Sequence, residues 1–441
     1  MHLVIMGGIF VAISALLARG ELFGESLLEL LSRKTAKRIE CESFKNRSRT
    51  QPKHFTRKRS MSFGDLMRFL LTPRKCSTNT ALRRFFRQIG SAATMKQQSL
   101  SEARMKVRVE ALRELFLITP DSMIERCQKK WHGYRVFAID GTTAQLPCEK
   151  VLADYFGALG KDKSAPAARA SILYDVLNDI IVDAYMEPLA IDERTLAEWH
   201  INHYSMNPES LSRNLFIYDR GYPSFQLIER HIDDEHHFVM RVKKKQFPAV
   251  DALEIPAGCV EIQKDGRSMC VRVLRFMLDS GEQETLITNI FDERLGVKDF
   301  KVLYFLRWPI ETKYDIVKNK LALEHFTARS PEGVIQDFYA TMYLANIAEA
   351  AIFDATPAID QSRNNKGNKH IQRANINEAI GILKDDLIHA LHLDDDDLRH
   401  DMLMAIFAKI ASYTTPVRTI RSFPRNTPRM ASFHHYRRRY C

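Results

Sequence analysis

The chain has 441 residues, 45% of them hydrophobic, enough for a large buried core, which excludes a disordered protein. Seven scattered cysteines without a C-x-x-C pair, and no histidine at zinc-ligand spacing, exclude a disulfide scaffold and a structural zinc and fit a reducing compartment. The formal net charge of +11 is concentrated at two places, which points to a polyanionic partner, nucleic acid first.

Residues 3–18, LVIMGGIFVAISALLA, form an apolar stretch short for a membrane span and without a preceding Lys or Arg, so a buried N-terminal helix is expected, with a targeting segment as the alternative. From Ser32 to Ser60 eleven bases face only Glu40 and Glu42. Residues 61–130 carry three apolar stripes at helical spacing, MSFGDLMRFLL, TNTALRRFFRQI and SLSEARMKVRVEALRELF, each preceded by a residue able to cap it. This predicts a small helical module whose Arg68, Arg74, Lys75, Arg83, Arg84, Arg87, Arg104, Lys106 and Arg108 offer basic faces to phosphates.

The pattern changes at Tyr134. YRVFAID reads as a strand ending in Asp140, and ASILYDVL and DIIVDAYMEPLA as strands joined by a turn at Asn178-Asp179. DERTLAEWHINHY reads as a helix, NLFIYDRGYPS as a strand ending in Asp219, and FQLIERHID as a helix. Residues 236–291 alternate with period two, predicting antiparallel strands. KVLYFLRW leads into a helix, FYATMYLANIAEAAIF into a long buried one, and 356–375 into a polar linker before a final helical pair. Four carboxylates at 394–397 point in different directions on any regular element, so they read as a helix N-terminus or a solvated loop and not as a metal site. The tail from Val417 to Cys441 adds seven arginines and no acid.

Tyr304, Arg307, Glu311 and Lys318 fall at relative positions 0, 3, 7 and 14, which a 3.6-residue period stacks on one helical face. Read alone, the pattern is a surface salt bridge worth a few tenths of a kcal/mol. Asp140 and Asp219, each closing an apolar run, make a second reading available: three carboxylates from separate elements suit two divalent ions. Pro309 requires the helix to begin near Trp308 or to kink there.

With Y-x2-R-x3-E-x6-K at 304–318, IDGTT at Asp140 and YDRGYPS at Asp219, the sequence resembles the DDE transposases of bacterial insertion sequences, specifically the insertion-sequence-four family. The resemblance runs from about residue 50 onward. It implies an α/β (α+β) fold with an RNase H-like catalytic core, an inserted antiparallel β-subdomain, an N-terminal helical DNA-binding module and a helical C-terminal region. The corresponding divisions are 1–130 for DNA-end binding, 131–230 and 301–355 for the two parts of the core, 231–300 for the insertion, and 356–441 for a linker, helices and basic tail. Asp140, Asp219 and Glu311 would be catalytic and hold two Mg²⁺ ions, with Mn²⁺ as a substitute. Tyr304, Arg307, Lys318 and Trp308 would contact DNA, Trp308 by stacking on a base unless it packs in the core instead. The implied activity is cut-and-paste transposition: binding of terminal inverted repeats, then cleavage and strand transfer of double-stranded DNA by a homodimer, in the bacterial cytoplasm at the nucleoid and without a membrane partner. An inactive or domesticated DNA-binding protein and a nuclease that does not join are the alternatives. Hairpin-forming relatives hold a flipped base with a Trp of the insertion, and none lies between Trp199 and Trp308 here; Phe247 and Met240 are the substitutes the sequence offers.

Overall fold

The computed structural model describes residues 25–417 except 58, 73–75, 161–164, 206–212, 279–280, 322 and 367–369. The apolar stretch at 3–18, Arg74, Lys75 and the arginine-rich tail beyond Val417 lie outside the described residues. Two compact units divide the chain, one formed by residues 127–146 and 153–316 and the other by the remainder.

The first unit is built on a mixed sheet. Its strands are β1 (Arg135–Gln145), β2 (Ala158–Leu159), β3 (Ala165–Asp175), β4 (Ile180–Pro188), β5 (Asn214–Tyr218), β6 (His237–Arg241), β7 (Ala257–Lys264), β8 (Arg267–Met277) and β9 (Gln283–Thr288). They run in the order β2-β3-β1-β5-β6-β9-β8-β7, with β4 on the other side of β3. β1 is antiparallel to β3 and parallel to β5, and β5 is parallel to β6. NLFIY in β5 is buried at every position, as expected of a strand covered on both faces. The helix Glu193–Ser205 packs on β3 and β4, and Phe137 of β1 meets Tyr204 and Phe216 edge-on and tilted, at 4.8 and 5.3 Å between centroids.

The turn between β3 and β4 falls where Asn178-Asp179 placed it, with Asp179 in the left-handed region at φ 61°. Buried Asp175 anchors it by accepting from Asn178 and, at 2.7 Å, from the equally buried Arg135. β1 does not end at Asp140 as expected. β-branched Thr142 and Thr143 continue the ladder against Ala170 and Arg169, so Asp140 sits mid-strand opposite Ile172. The period-two run at 236–291 does form antiparallel strands, but β9, β8 and β7 extend the same sheet through β6 rather than forming a separate layer. The free edge of β6 is thereby covered.

The second unit is helical. Ser62 and Asp65 form the capping box of Phe63–Leu70, and Ser77 caps Thr78–Gln88, both where the sequence placed a cap. The third expected helix is two, Gln97–Arg104 and Val109–Arg126, parted where Val107 bridges to Arg49. The helix Pro331–Lys366 runs through most of the expected linker, because Ala355, Ala358 and Ile359 keep its buried stripe going past Pro357. Asp395 caps Asp396–Ser412, accepting from the amides of Asp397 and Leu398, so the acidic run is a helix start. The helix Pro331–Lys366, most of which falls in the division 301–355 expected to belong to the core, shares this unit with the N-terminal helices: Tyr343 donates to Thr35, Asn346 to Thr119, and Asp354 accepts from the amides of Leu27 and Leu28.

Two of the arginines expected on basic faces are internal. Arg68 is buried between Glu40 and the carbonyl of Leu391, and Arg104 lies 4% exposed against Asp337, Gln336, Thr327 and the Gly333 carbonyl. A buried guanidinium with all its partners satisfied cannot turn to a phosphate without leaving them stranded. Truncating it by Arg104→Ala is expected to cost about 3–5 kcal/mol in denaturant-induced unfolding, because Asp337 would be left buried without its cation. Asp354 yields a pH signature. Burial raises its carboxyl to about 6 against the opposing pull of the Leu28 and Leu27 amides, so the folded chain holds a proton that the unfolded chain releases. Its contribution is fully present below the unfolded value near 4 and is lost as pH rises through about 6, so Asp354→Asn is expected to gain melting temperature relative to wild type across that interval.

Candidate active site

Three carboxylates of the sheet-bearing unit gather around one guanidinium. Asp140 comes from the middle of β1, Asp219 from the first position past β5, and Glu311 from the helix Pro309–Asp315. β1 and β5 are parallel neighbours, so both aspartates lie toward the same end of the pair. Arg307 donates from Nη2 to Glu311 Oε1 at 3.2 Å and is within electrostatic range of Asp219 and Asp140 as well. Tyr304 donates to Asp219 Oδ1 at 3.2 Å and lies under Arg307, 6.0 Å from ring centroid to guanidinium.

Pro309 explains how these residues meet. The four motif residues do not share one helical face. Tyr304 is in the helix Val297–Phe305, which closes at Leu306; Arg307 and Trp308 form the junction; Pro309, with no amide to donate, is the first residue of the next helix. The chain continues into a π-helical turn, Ile316–Lys320, that carries Lys318. Lys318 belongs to the helical unit, where it stands 3.9 Å from Glu324 and burial lowers its pKa. Trp308 is 49% exposed beside Phe305, which rules out its packing in the core. Met240 is fully buried in β6, which removes one of the two substitutes for a base-holding Trp.

The two aspartates differ. Burial raises the Asp140 carboxyl to about 6, with Arg307 pulling against it and Glu193 and Glu311 adding to it. Burial acts on Asp219 too, but the Arg220 amide, Arg307, Arg241 and Tyr304 outweigh it and hold the carboxyl below its ordinary value.

Sequence reading missed the groups that hold Asp140 in place. Tyr314, three residues beyond Glu311, donates its hydroxyl to the Asp140 carbonyl at 2.6 Å, tying the Glu311 helix to β1. Ser171, opposite Gly141 across the ladder, reaches the same carbonyl at 3.4 Å and meets His200 Nε2 at 3.0 Å, while His200 Nδ1 is 2.9 Å from Asp183. This Ser-His-Asp line is fully buried and has no access for a substrate, so it is a structural brace and not a nucleophile relay. No local spacing signals such a contact, since Ser171, Asp183 and His200 come from three elements. Glu193, at the start of the helix Glu193–Ser205, was also missed; it pairs with Arg169 at 2.9 Å.

The donor set is all carboxylate oxygen, the chemistry of Mg²⁺ or Mn²⁺ and not of zinc. Among the described residues no group of three His, Cys, Asp or Glu stands close enough to share one ion; Arg307 supplies the positive charge at the centre instead. Two buried polar atoms nearby, Arg307 Nε and the Tyr222 hydroxyl, have no hydrogen-bond partner among the described residues. The carboxylates therefore fit a hard cation by chemistry, and the orphaned guanidinium N–H fits an anionic oxygen such as that of a phosphate.

Residues 131–347 match a family model described as Transposase DDE domain. The chain is similar to "Putative transposase InsZ" of Escherichia coli (strain K12), 26% identical over 171 residues that cover 37% of this chain and 57% of that protein, so it spans a little over half of the relative's length. Among solved structures it is similar to the piggyBac transposase in its synaptic complex with hairpin DNA, at a TM-score of 0.47 and 10% identity over 85% of each chain. No helix among the described residues is long and apolar enough to cross a membrane. The segment matched by the transposase DDE model, residues 131–347, holds Asp140, Asp219, Tyr304, Arg307, Glu311 and Lys318.

Proposed function

We propose that the protein is a cut-and-paste DNA transposase of the insertion-sequence-four type, with an RNase H-like core, acting as a homodimer on paired transposon ends in the bacterial cytoplasm. The observation that carries this reading is the convergence of Asp140, Asp219 and Glu311 on Arg307 and Tyr304, from β1, the end of β5 and the helix after Pro309. The strand order β4-β3-β1-β5-β6, three antiparallel strands followed by two parallel to β1, supports an RNase H-like core.

Two divalent ions on these carboxylates would supply a water acidic enough to attack and neutralise charge developing on the phosphate. The chain's own residues do the positioning. Asp140 is fixed by Tyr314 and Ser171 through its carbonyl, and its carboxylate accepts from the Gly141 amide through one oxygen, Oδ1. Arg307, with Nε unpaired, takes a non-bridging phosphate oxygen, and Tyr304 and Lys318 are further phosphate contacts. Exposed Trp308 offers a face for a base beyond the cleaved bond. In the first step a water oxygen bonds to phosphorus at the transposon end as the bond to the 3′ oxygen breaks. In the second that freed 3′-hydroxyl attacks a target phosphate, displacing another 3′ oxygen, with no covalent protein-DNA intermediate.

DNA-end binding falls to the helical unit. A cavity of about 1420 Å³ is lined there by Lys45, Lys53, Arg57, Arg59, Lys96 and Lys106, against Glu40, Glu42 and Glu102. These cations, and not Arg68 or Arg104, are the phosphate contacts of the reading.

Mg²⁺-dependent strand transfer of an end-containing oligonucleotide is expected from wild type and should fall to background with Asp140→Ala. Equal product from both proteins overturns the reading, and cleavage without joining favours a nuclease. In a binding titration against salt, combining Lys53→Ala, Arg57→Ala and Arg59→Ala is expected to lower the slope of log K on log[salt] by about 0.9 for each lost contact, and an unchanged slope removes the cavity from the DNA interface.

A further inference from the structure

Glu193 is absent from the set of acids that the motif supplies, and its surroundings are not those of an ordinary ion pair. It opens the helix Glu193–Ser205, and its side chain folds back over β1 at the residue after Asp140. A Cβ placed on Gly141 would stand 3.0 Å from Glu193 Cγ, 3.1 Å from Cδ and 3.2 Å from Oε1. Glycine at 141 is thus what lets this carboxyl lie against the backbone beside Asp140, since any side chain there would press it away. Arg169 holds one oxygen, Oε1, from the neighbouring strand at 2.9 Å, and the Glu193 side chain remains 41% exposed. An ion pair that open is worth little to stability, so stability alone does not account for a carboxyl pinned in this position.

An independent observation comes from Tyr222. Its ring is 2% exposed and packs on Tyr218, yet its hydroxyl has no hydrogen-bond partner among the described residues. The charged groups acting most strongly on that hydroxyl are Asp140 and Glu193. Leaving a buried hydroxyl unsatisfied costs about 1–3 kcal/mol, and a phenylalanine would pack equally well, so the group is placed to meet something the protein chain does not provide. For a buried hydroxyl under the influence of two carboxylates, the ligand that both accepts from a hydroxyl and donates to carboxylates is water, and Mg²⁺ or Mn²⁺ retains several waters when few protein oxygens bind it.

We propose that Glu193 is a fourth carboxylate of the site, which together with the Tyr222 hydroxyl holds the water shell of a divalent cation bound at Asp140. Glu193 and Tyr222 are positioning residues here: they fix waters, and through them the ion, without replacing Asp140 as its ligand. The inference rests on the proposed assignment of Asp140 as a metal-binding residue.

The test is Mn²⁺ binding to the full chain without DNA, followed by electron paramagnetic resonance of the free ion, in wild type and in Asp140→Asn, Glu193→Gln and Tyr222→Phe, with the melting temperature of each recorded. Asp140→Asn is expected to abolish tight binding. Glu193→Gln should weaken it about tenfold, and Tyr222→Phe should weaken it in the same direction, each with a melting temperature near that of wild type. If Glu193→Gln and Tyr222→Phe bind Mn²⁺ as wild type does while Asp140→Asn does not, Glu193 is only the partner of Arg169 and the inference fails with the metal assignment intact. If Asp140→Asn binds as wild type does, the metal assignment itself fails and the inference with it. Should Glu193→Gln not fold, Tyr222→Phe decides alone, because it removes one oxygen and keeps the packed ring.

Discussion

The sheet-bearing unit is organised around one buried cation. Arg307 is 6% exposed, and desolvation of its guanidinium is offset only because Tyr304, Asp219, Asp140 and Glu311 all lie within reach of it. Burying a lone guanidinium would be prohibitive; the half-buried Asp140 and Asp219 and the exposed Glu311 make it tolerable. The same balance accounts for the different states of the two aspartates. Asp219 has Arg241, the Tyr304 hydroxyl and the Arg220 amide besides Arg307, and is held below its ordinary value, whereas Asp140 has Arg307 and the Gly141 amide against its burial and is carried up to about 6. The cluster is thus balanced by the chain's own charged groups, with Arg307 at its centre.

Much of this was legible in the sequence, because the chemistry is carried by residue types with few other uses in such positions. The strand NLFIY before Asp219, the turn at Asn178-Asp179, the caps at Ser62 and Ser77 and the helix start at Asp395 are all set by residues within a few positions of the feature they specify. The period-two run at 236–291 likewise gave strands. What it could not give was their pairing, since β6 with β9 and β1 with β3 are decided by which edges are free and not by local pattern.

The misreadings have the same origin. Arg68 and Arg104 look identical in sequence to Arg83 and Arg87, and only tertiary packing separates the two that are buried among carbonyls and acids from the two left in solvent. Asp140 looked like a strand terminus because Gly141 follows it, but a glycine in a strand also marks a close approach, and here the approaching group is Glu193. The Ser171, Asp183 and His200 brace has no sequence signature at all, being assembled from positions on β3, β4 and a helix.

Pro309 is where sequence and site are most tightly connected. A continuous helix through 304–318 would place Tyr304, Arg307 and Glu311 along one stripe, stacked on the axis with their side chains parallel. Convergence on a point needs the chain to turn between them. Proline supplies the turn by removing an amide that an uninterrupted helix would have to satisfy, and its fixed φ suits the first position of the helix that follows. Tyr304 then reaches Asp219 from the helix before the break, Glu311 enters from the one after it, and Arg307 in the junction faces both. Tyr314 completes the geometry one turn later by bonding the second helix to the carbonyl of Asp140, so the break that separates the motif into two helices is also what brings its acid to the strand bearing the first.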